Sequence, residues 1–509
     1  MAGTDQFLET INTGYQFKGA SVKIGVGMLD GKAVPGANVH LSLKMMNRHG
    51  LIAGATGTGK TKTLQTISEF LSDAGVPVML MDIKGDLSGL AAAGVENDKI
   101  KQRYQLLELD YTPKAFPVEL LTLSHEKGVR LRATVSEFGP ILISKILDLN
   151  ETQSSLVAVI FKYADDQKLP LVGLKDLVKL LQYVSDEGKA EIEKSYGKIS
   201  TASTGTILRK VIELQGQGAD VFFDEPSFEV ADLMRTTSDG KGMINILRVT
   251  DLQDRPKLFS TFMLQMLDEL YASSPEQGDL DLPKLVLFID EAHLLFQEAT
   301  DALQEKIETV IKLIRSKGIG IFFCTQNPQD VPAPILSQLG LKVQHALRAF
   351  TARDRKAIKT AAENFPETAF YKTDELLTQM GIGEALVTML NEKGIPTPLV
   401  HTLLCSPRSR MDILTPEEID KVVSASRLVA KYDQVVDEKS AYEILTDKLA
   451  HAADQSADQS EQKQSKKDDG GFFSNPIVKS AARTAAVTIT GYITRSIMGA
   501  LGLGGRRRK

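Results

Sequence analysis

Apolar positions along the chain fall into two patterns. Short, nearly unbroken runs recur at LIAG (51–54), VPVMLMD (76–82), GMINILRV (242–249), KLVLFID (284–290), GIGIFFCTQ (318–326) and LKVQHAL (341–347). Such runs, bounded by turn residues, predict parallel strands of a sheet buried on both faces. Between the first two, TLQTISEFLSDAG (63–75) has helical periodicity and closes at Gly75. Strand, helix and strand within about thirty residues make a βαβ unit, joined right-handedly.

The same patterns divide the chain. Residues 47–95 and 241–405 predict an α/β core with a parallel sheet, ending in a β-hairpin of EALVTML and TPLVHTLL around the turn NEKGIP. Residues 96–240 carry helical patterns (VSEFGPILISKILDL, ETQSSLVAVIFKYADD, LKDLVKLLQYV, STGTILRKVIEL) and predict a mainly helical insertion. Residues 1–46, with SVKIGVGML, read as a short β-rich lead-in, and 406–453 as C-terminal helices. Residues 454–471 are polar and predict a flexible linker.

Residues 472–509 differ again. They contain Lys479, Arg483, Arg495, Arg506, Arg507, Arg508 and Lys509 and no acidic residue. Val478, Ala482, Ala485, Ile489, Ile493 and Ala500 recur at helical spacing, which predicts a basic amphipathic tail. Arg483 and Arg495 break any run long enough to span a bilayer, so no transmembrane helix is expected. The tail is suited to a neighbouring subunit, an anionic membrane surface or nucleic acid.

Composition narrows the class. Hydrophobic residues make up 42% and charged residues 25% of 509, which excludes a disordered, fibrous or polytopic membrane chain. A net charge of −5 carries no global signature of nucleic-acid binding. The two cysteines, Cys324 and Cys405, make neither a disulfide framework nor a zinc site. They fit a reducing compartment, and MAGTDQFLET lacks a secretory pattern, so a cytoplasmic location is expected.

The sharpest chemistry lies at Gly54-Ala55-Thr56-Gly57-Thr58-Gly59-Lys60-Thr61, which fits G-x-x-x-x-G-K-[ST] without a mismatch. Its glycines let backbone N–H groups converge on a phosphate, and the following helix presents its positive end. Lys60 suits the β- and γ-phosphates, Thr61 suits Mg²⁺, and Thr63 stands on the next part of the helix. A later buried strand should end in a carboxylate that holds the metal, and Leu285–Ile289 ends in Asp290-Glu291. Asp290 is the metal-side carboxylate and Glu291 the base for an attacking water. ATP and Mg²⁺ are therefore the expected ligands of an ATP-hydrolysing P-loop enzyme.

Gln326, at the tip of the strand GIGIFFCTQ, either orients water and senses the γ-phosphate or caps the turn before Pro328. Arg315 precedes that strand, at the end opposite the nucleotide. In a ring it could reach a neighbour's γ-phosphate; otherwise it is a solvated helix-end arginine. Arg348 and Arg353 are rivals. Asp82 ends the second strand, and Lys84-Gly85-Asp86 forms a turn that either contacts nucleotide or the adjacent subunit, or leaves Asp82 a local cap. Asp290-Glu291-Ala292-His293 spells a DEAH box, but no second domain with its arginine-rich motif follows. Leu87-Ser88-Gly89 stands in the wrong place for an ABC transporter signature.

The strings NRHGLIAGATGTGKT (47–61), MDIKGDLSGL (81–90), LRATVSEFGP (131–140), LFIDEAHLLF (287–296) and GIGIFFCTQNPQDVP (318–332) resemble the HerA–FtsK superfamily of P-loop motor ATPases. Within it they resemble the bacterial YjgR-type, helicase HerA-like proteins, over about residues 45–405. The resemblance implies a RecA-like core, ATP hydrolysis, a homo-oligomeric hexameric ring acting on DNA as a helicase or translocase, Gln326 as sensor and Arg315 as trans-acting finger. HerA helicases carry a larger N-terminal β-barrel than residues 1–46 supply, and no FtsK-type winged helix is visible. The alternative function is accordingly a non-motor ATP-dependent switch or assembly protein; a small-molecule kinase fits poorly with Glu291 and the long insertion.

Overall fold

The computed structural model describes residues 2–252, 256–278, 280–296, 301–434 and 439–452. Residues 1–445 form one compact unit; of a second, beginning at Thr446, residues 446–452 are described and are helical. The linker 454–471 and the basic tail 472–509 lie outside the described residues.

Twelve strands among the described residues form one sheet. They are β1 (Ser21–Leu29), β2 (Lys32–Ser42), β3 (Gly50–Ala53), β4 (Val78–Asp82), β5 (Val118–Thr122), β6 (Val129–Arg130), β7 (Ile244–Arg248), β8 (Leu285–Ile289), β9 (Ile319–Thr325), β10 (Leu341–Gln344), β11 (Glu384–Met389) and β12 (Val400–Leu404). Their order is β2-β1-β12-β11-β10-β3-β9-β8-β4-β7-β5-β6. From β10 to β6 every pairing is parallel. From β2 to β10 every pairing is antiparallel.

The parallel strands follow from composition. GLIA, VMLMD, LVLFI and IGIFFCT are buried at every position. Leu64, Ile67 and Leu71 of helix α2, which runs over Lys60–Asp73 once α1 (Ala2–Gly14) is counted, share a core cluster with Val286, Phe288 and Phe322. Side chains alternate along a strand, so Leu285, Leu287 and Ile289 face the other way and are equally buried. Both faces of the sheet are therefore covered, as its parallel pairing requires.

Two stretches differ in detail from the sequence pattern. Within 1–46 the chain opens with α1, and the β1–β2 hairpin then extends the sheet beside β12. Phe7, Ile11 and Tyr15 make one buried face, and the Tyr15 hydroxyl donates to the carbonyls of Val387 and Pro398, both at 2.9 Å. Within 96–240 the first part supplies α3 (Asp98–Leu107), β5 and β6; helices then occupy most of 135–233. VELLT is only five residues long, and its place beside β7 is a tertiary fact.

Candidate functional site

Parallel pairing brings the carboxyl ends of β10, β3, β9, β8 and β4 to one edge of the sheet, where open α/β sheets bind ligands. The sequence-predicted residues converge there. Gly54 follows β3, Gln326 follows β9, and Asp290 follows β8. Ala53 pairs with Thr325, and Ile289 with Phe323, so Gln326 stands between the phosphate loop and the acidic pair. The Gly54 N–H donates to the Thr325 carbonyl at 3.2 Å, and the Ala292 N–H to the Cys324 carbonyl at 2.9 Å. Gln326 is exposed at the end of β9.

The loop itself needs its glycines. Gly54, Gly57 and Gly59 have φ of 153°, 78° and 111°. A Cβ on Gly54 would lie 2.5 Å from the Cβ of His345, so the loop lies against β10's carboxyl end. The Ala55 N–H donates to Ala346, and the Thr58 hydroxyl to Ala55, at 2.8 and 2.7 Å. Lys60 opens α2; its ammonium donates to the carbonyls of Gly54 (2.6 Å) and Ala55 (3.3 Å). Burial, then the nearby charge of Lys84, lowers its pKa from the ordinary lysine value. Thr56 is exposed at the loop tip, Thr61 is half-buried in the first turn, and Thr63 is buried with its hydroxyl 2.9 Å from His345 Nε2.

Asp290 and Glu291 are 4% and 5% exposed, deep for two adjacent carboxylates. Burial raises Asp290 to about 6, helped by Glu291 and opposed by Lys84. Glu291 has φ of 45°, which turns the chain sharply off β8. Its carboxylate forms an ion pair with Lys84 and lies 3.2 Å from His293 Nδ1.

The donor set fits Mg²⁺. Asp290 Oδ2 is buried and has no hydrogen-bond partner among the described residues. One hydroxyl (Thr61) and one carboxylate (Asp290) suit an ion that keeps waters and phosphate oxygens as its other ligands.

Arg315 is exposed just ahead of β9, at the opposite edge of the sheet, and the geometry does not bring it to the P-loop of its own chain. Arg348 and Arg353, also exposed, follow β10 and so start from the P-loop edge.

Two features escape motif reading, and a third is singled out by it with its role left open. His345 is fully buried behind the loop, and its pKa falls to about 4 through burial and then the charge of Lys60. Gly383, between exposed Ile382 and β11, donates to the Thr58 carbonyl at 3.0 Å, and Arg103 of α3 binds the carbonyls of Ile382, Gly383 and Leu404. Lys84 is the third. Asp82 accepts the N–H groups of Gly85, Asp86 and Leu87 and so fixes the turn that carries it. MDIKGD offered a signal for Lys84; nothing local to His345 or Gly383 did.

Comparison with known proteins shows the family and the fold. A family model described as Helicase HerA-like C-terminal matches residues 28–475. A DNA double-strand break repair helicase HerA from Saccharolobus solfataricus is 24% identical over 371 residues, covering 72% of this chain and 66% of its own. The chain thus spans just under two thirds of the length of that curated relative. Among solved structures, plasmid coupling protein TrwB with the GTP analogue GDPNP aligns at a TM-score of 0.51 and 13% identity, over 80% of this chain and 95% of that one. TrwB in complex with ADP and Mg²⁺ aligns at 0.50 and 13% identity, over 80% and 94%. These likenesses show the mixed α/β fold with its large, mostly parallel sheet.

Proposed function

The chain belongs to the HerA-like C-terminal helicase family, and from that premise we propose that it is an ATP-hydrolysing, ring-forming motor acting on DNA. Its motif strings favour the YjgR-type branch of the HerA–FtsK superfamily. The observation that carries the reading is the shared strand edge, where a complete P-loop, Gln326 and the Asp290–Glu291 pair end three adjacent parallel strands.

Each residue then has a role. The P-loop N–H groups and the positive end of α2 bind the phosphates, with Lys60 neutralising charge as the leaving group develops. Thr61 and Asp290 would hold Mg²⁺, which supplies Lewis-acid stabilisation of phosphate oxygens when bound. Glu291 takes the proton of the attacking water, and Gln326 orients that water. Arg315, at the far edge, suits a neighbouring subunit's nucleotide and not its own, which is what supports its reading as a trans-acting finger. TrwB is described in complex with ADP and Mg²⁺ and with a nucleotide analogue, which supports the same ligand class here.

DNA-stimulated ATP turnover tests the motor. Turnover of the purified full chain should rise on adding duplex DNA, and native mass with an ATP analogue should give a hexamer. ATP hydrolysis indifferent to DNA, with no ring, would leave a non-motor nucleotide switch as the function.

A further inference from the structure

We propose that Lys84 is a sensor of the terminal phosphate, exchanging its ion pair with Glu291 for the γ-phosphate and thereby releasing the base. The proposal rests on the nucleotide-site reading above and adds to it a device that couples the presence of a γ-phosphate to the state of Glu291.

Four observations carry it. First, Lys84 and Glu291 form a direct ion pair across the gap between β4 and β8, which are neighbours in the sheet. Second, the two partners are unequal: the Lys84 side chain is 37% exposed and that of Glu291 6%, so the lysine is the one free to swing. Third, the turn beneath Lys84 is fixed by three N–H bonds to Asp82, and Glu291 is fixed by its left-handed backbone between β8 and the Ala292 bond to β9. Both backbones are thus held, and the more exposed lysine side chain is the partner with room to move. Fourth, the charge of Lys84 is felt by Lys60, the ammonium that opens α2 at the P-loop.

The exchange follows from charge. A terminal phosphate with Lys60 on one side carries more negative charge than the Glu291 carboxylate and competes for the same ammonium. A diphosphate puts no such group there. A Glu291 that has lost its lysine partner has its carboxylate free to face the attacking water.

The test is the affinity of the full chain for ADP and for ATPγS, each with Mg²⁺, by calorimetry. It compares wild type, Lys84→Met, Lys84→Arg, Glu291→Gln and the double variant that combines Lys84→Met with Glu291→Gln. Lys84→Met should weaken ATPγS by about fivefold or more and leave ADP within about twofold, whereas Lys84→Arg should keep most of the discrimination. Glu291→Gln should strengthen ATPγS by about fivefold when Lys84 is present and by less than about twofold when it is combined with Lys84→Met. Equal gains in both backgrounds, or equal losses for ADP and ATPγS in Lys84→Met, would overturn the exchange and leave Lys84 as a brace for its turn. If wild type binds neither nucleotide, the nucleotide-site reading itself fails, and the proposal with it.

Discussion

Glu69 and Ser409, 340 positions apart in the chain, are joined by two hydrogen bonds: the Ser409 N–H and hydroxyl both donate to Glu69 Oε1, at 3.0 and 2.5 Å. The Arg408 N–H donates to the same carboxylate, and Arg408 also pairs with Asp73 at 2.6 Å. Gln65 and Lys62 reach the next residues, donating to the carbonyls of Arg410 and Met411. The helix that starts at Lys60 is thus clasped along one side by the segment after β12. Glu69 is completely buried, and burial raises its pKa from the ordinary carboxyl value in spite of these donors.

Removing that carboxylate strands several buried donors. Glu69→Leu is expected to lower the unfolding free energy by about 3 kcal/mol, the cost of breaking a buried, hydrogen-bonded charge on one side only. Urea denaturation checks it. A loss below ~1 kcal/mol would mean that the clasp contributes little to holding the P-loop helix.

Lys60→Ala should leave the fold intact and cut ATP hydrolysis by about 10²-fold or more, the scale of losing one charge-stabilising donor. Circular dichroism beside a phosphate-release assay reads both. Wild-type turnover in K60A would place the chemistry somewhere other than the P-loop.

The acidic pair separates binding from chemistry. Glu291→Gln should bind ATP and lose turnover by about 10²-fold, as expected for a general base. Asp290→Asn should weaken Mg²⁺-dependent binding as well, because its orphaned Oδ2 is the oxygen that suits the ion. Calorimetry with and without Mg²⁺ distinguishes them, and a Gln variant with normal turnover removes Glu291 from the mechanism.

Arg315 is tested by mixing. R315A alone should bind nucleotide and lose turnover, while a mixture of R315A and K60A subunits should regain activity wherever an intact P-loop meets an intact arginine. Full activity of R315A by itself would turn attention to Arg348 and Arg353, which start from the P-loop edge of the same chain.

His345 gives a pH signature. Its pKa of about 4 in the folded chain lies below the usual 6.5. Below about pH 6.5 the unfolded chain takes up a proton that the folded chain refuses, so the stability from this residue is present above about 6.5 and lost as pH falls toward about 4. Asp82, raised to about 7 mainly by burial and then by Asp86, works in the opposite direction over the same range. The comparison is therefore wild type against His345→Asn. Between about pH 7 and 4.5 the stability of wild type should fall by about 2–3 kcal/mol relative to the variant. Parallel pH profiles in urea denaturation would show that His345 titrates normally.

Most of the parallel strands, and the candidate residues that are neighbours in the chain, could be read from local pattern alone. Unbroken apolar runs such as LVLFI have only one stable place, a sheet covered on both faces, and the P-loop is written in eight consecutive residues because its function is a local backbone curl. Asp290-Glu291 was legible for the same reason, as the end of a buried run. Which strand ends become neighbours is set by contacts between distant parts of the chain. The order β10-β3-β9-β8-β4 sets His345, the P-loop, Gln326, Glu291 and Lys84 along one edge, and no periodicity encodes that order. VELLT became a sheet strand, and α1 with Tyr15 just after it packed into the core, through partners far away in the chain. Glu69 reads as an ordinary helix residue until Ser409 closes on it, because a hydrogen bond across 340 positions leaves no mark on the residues between.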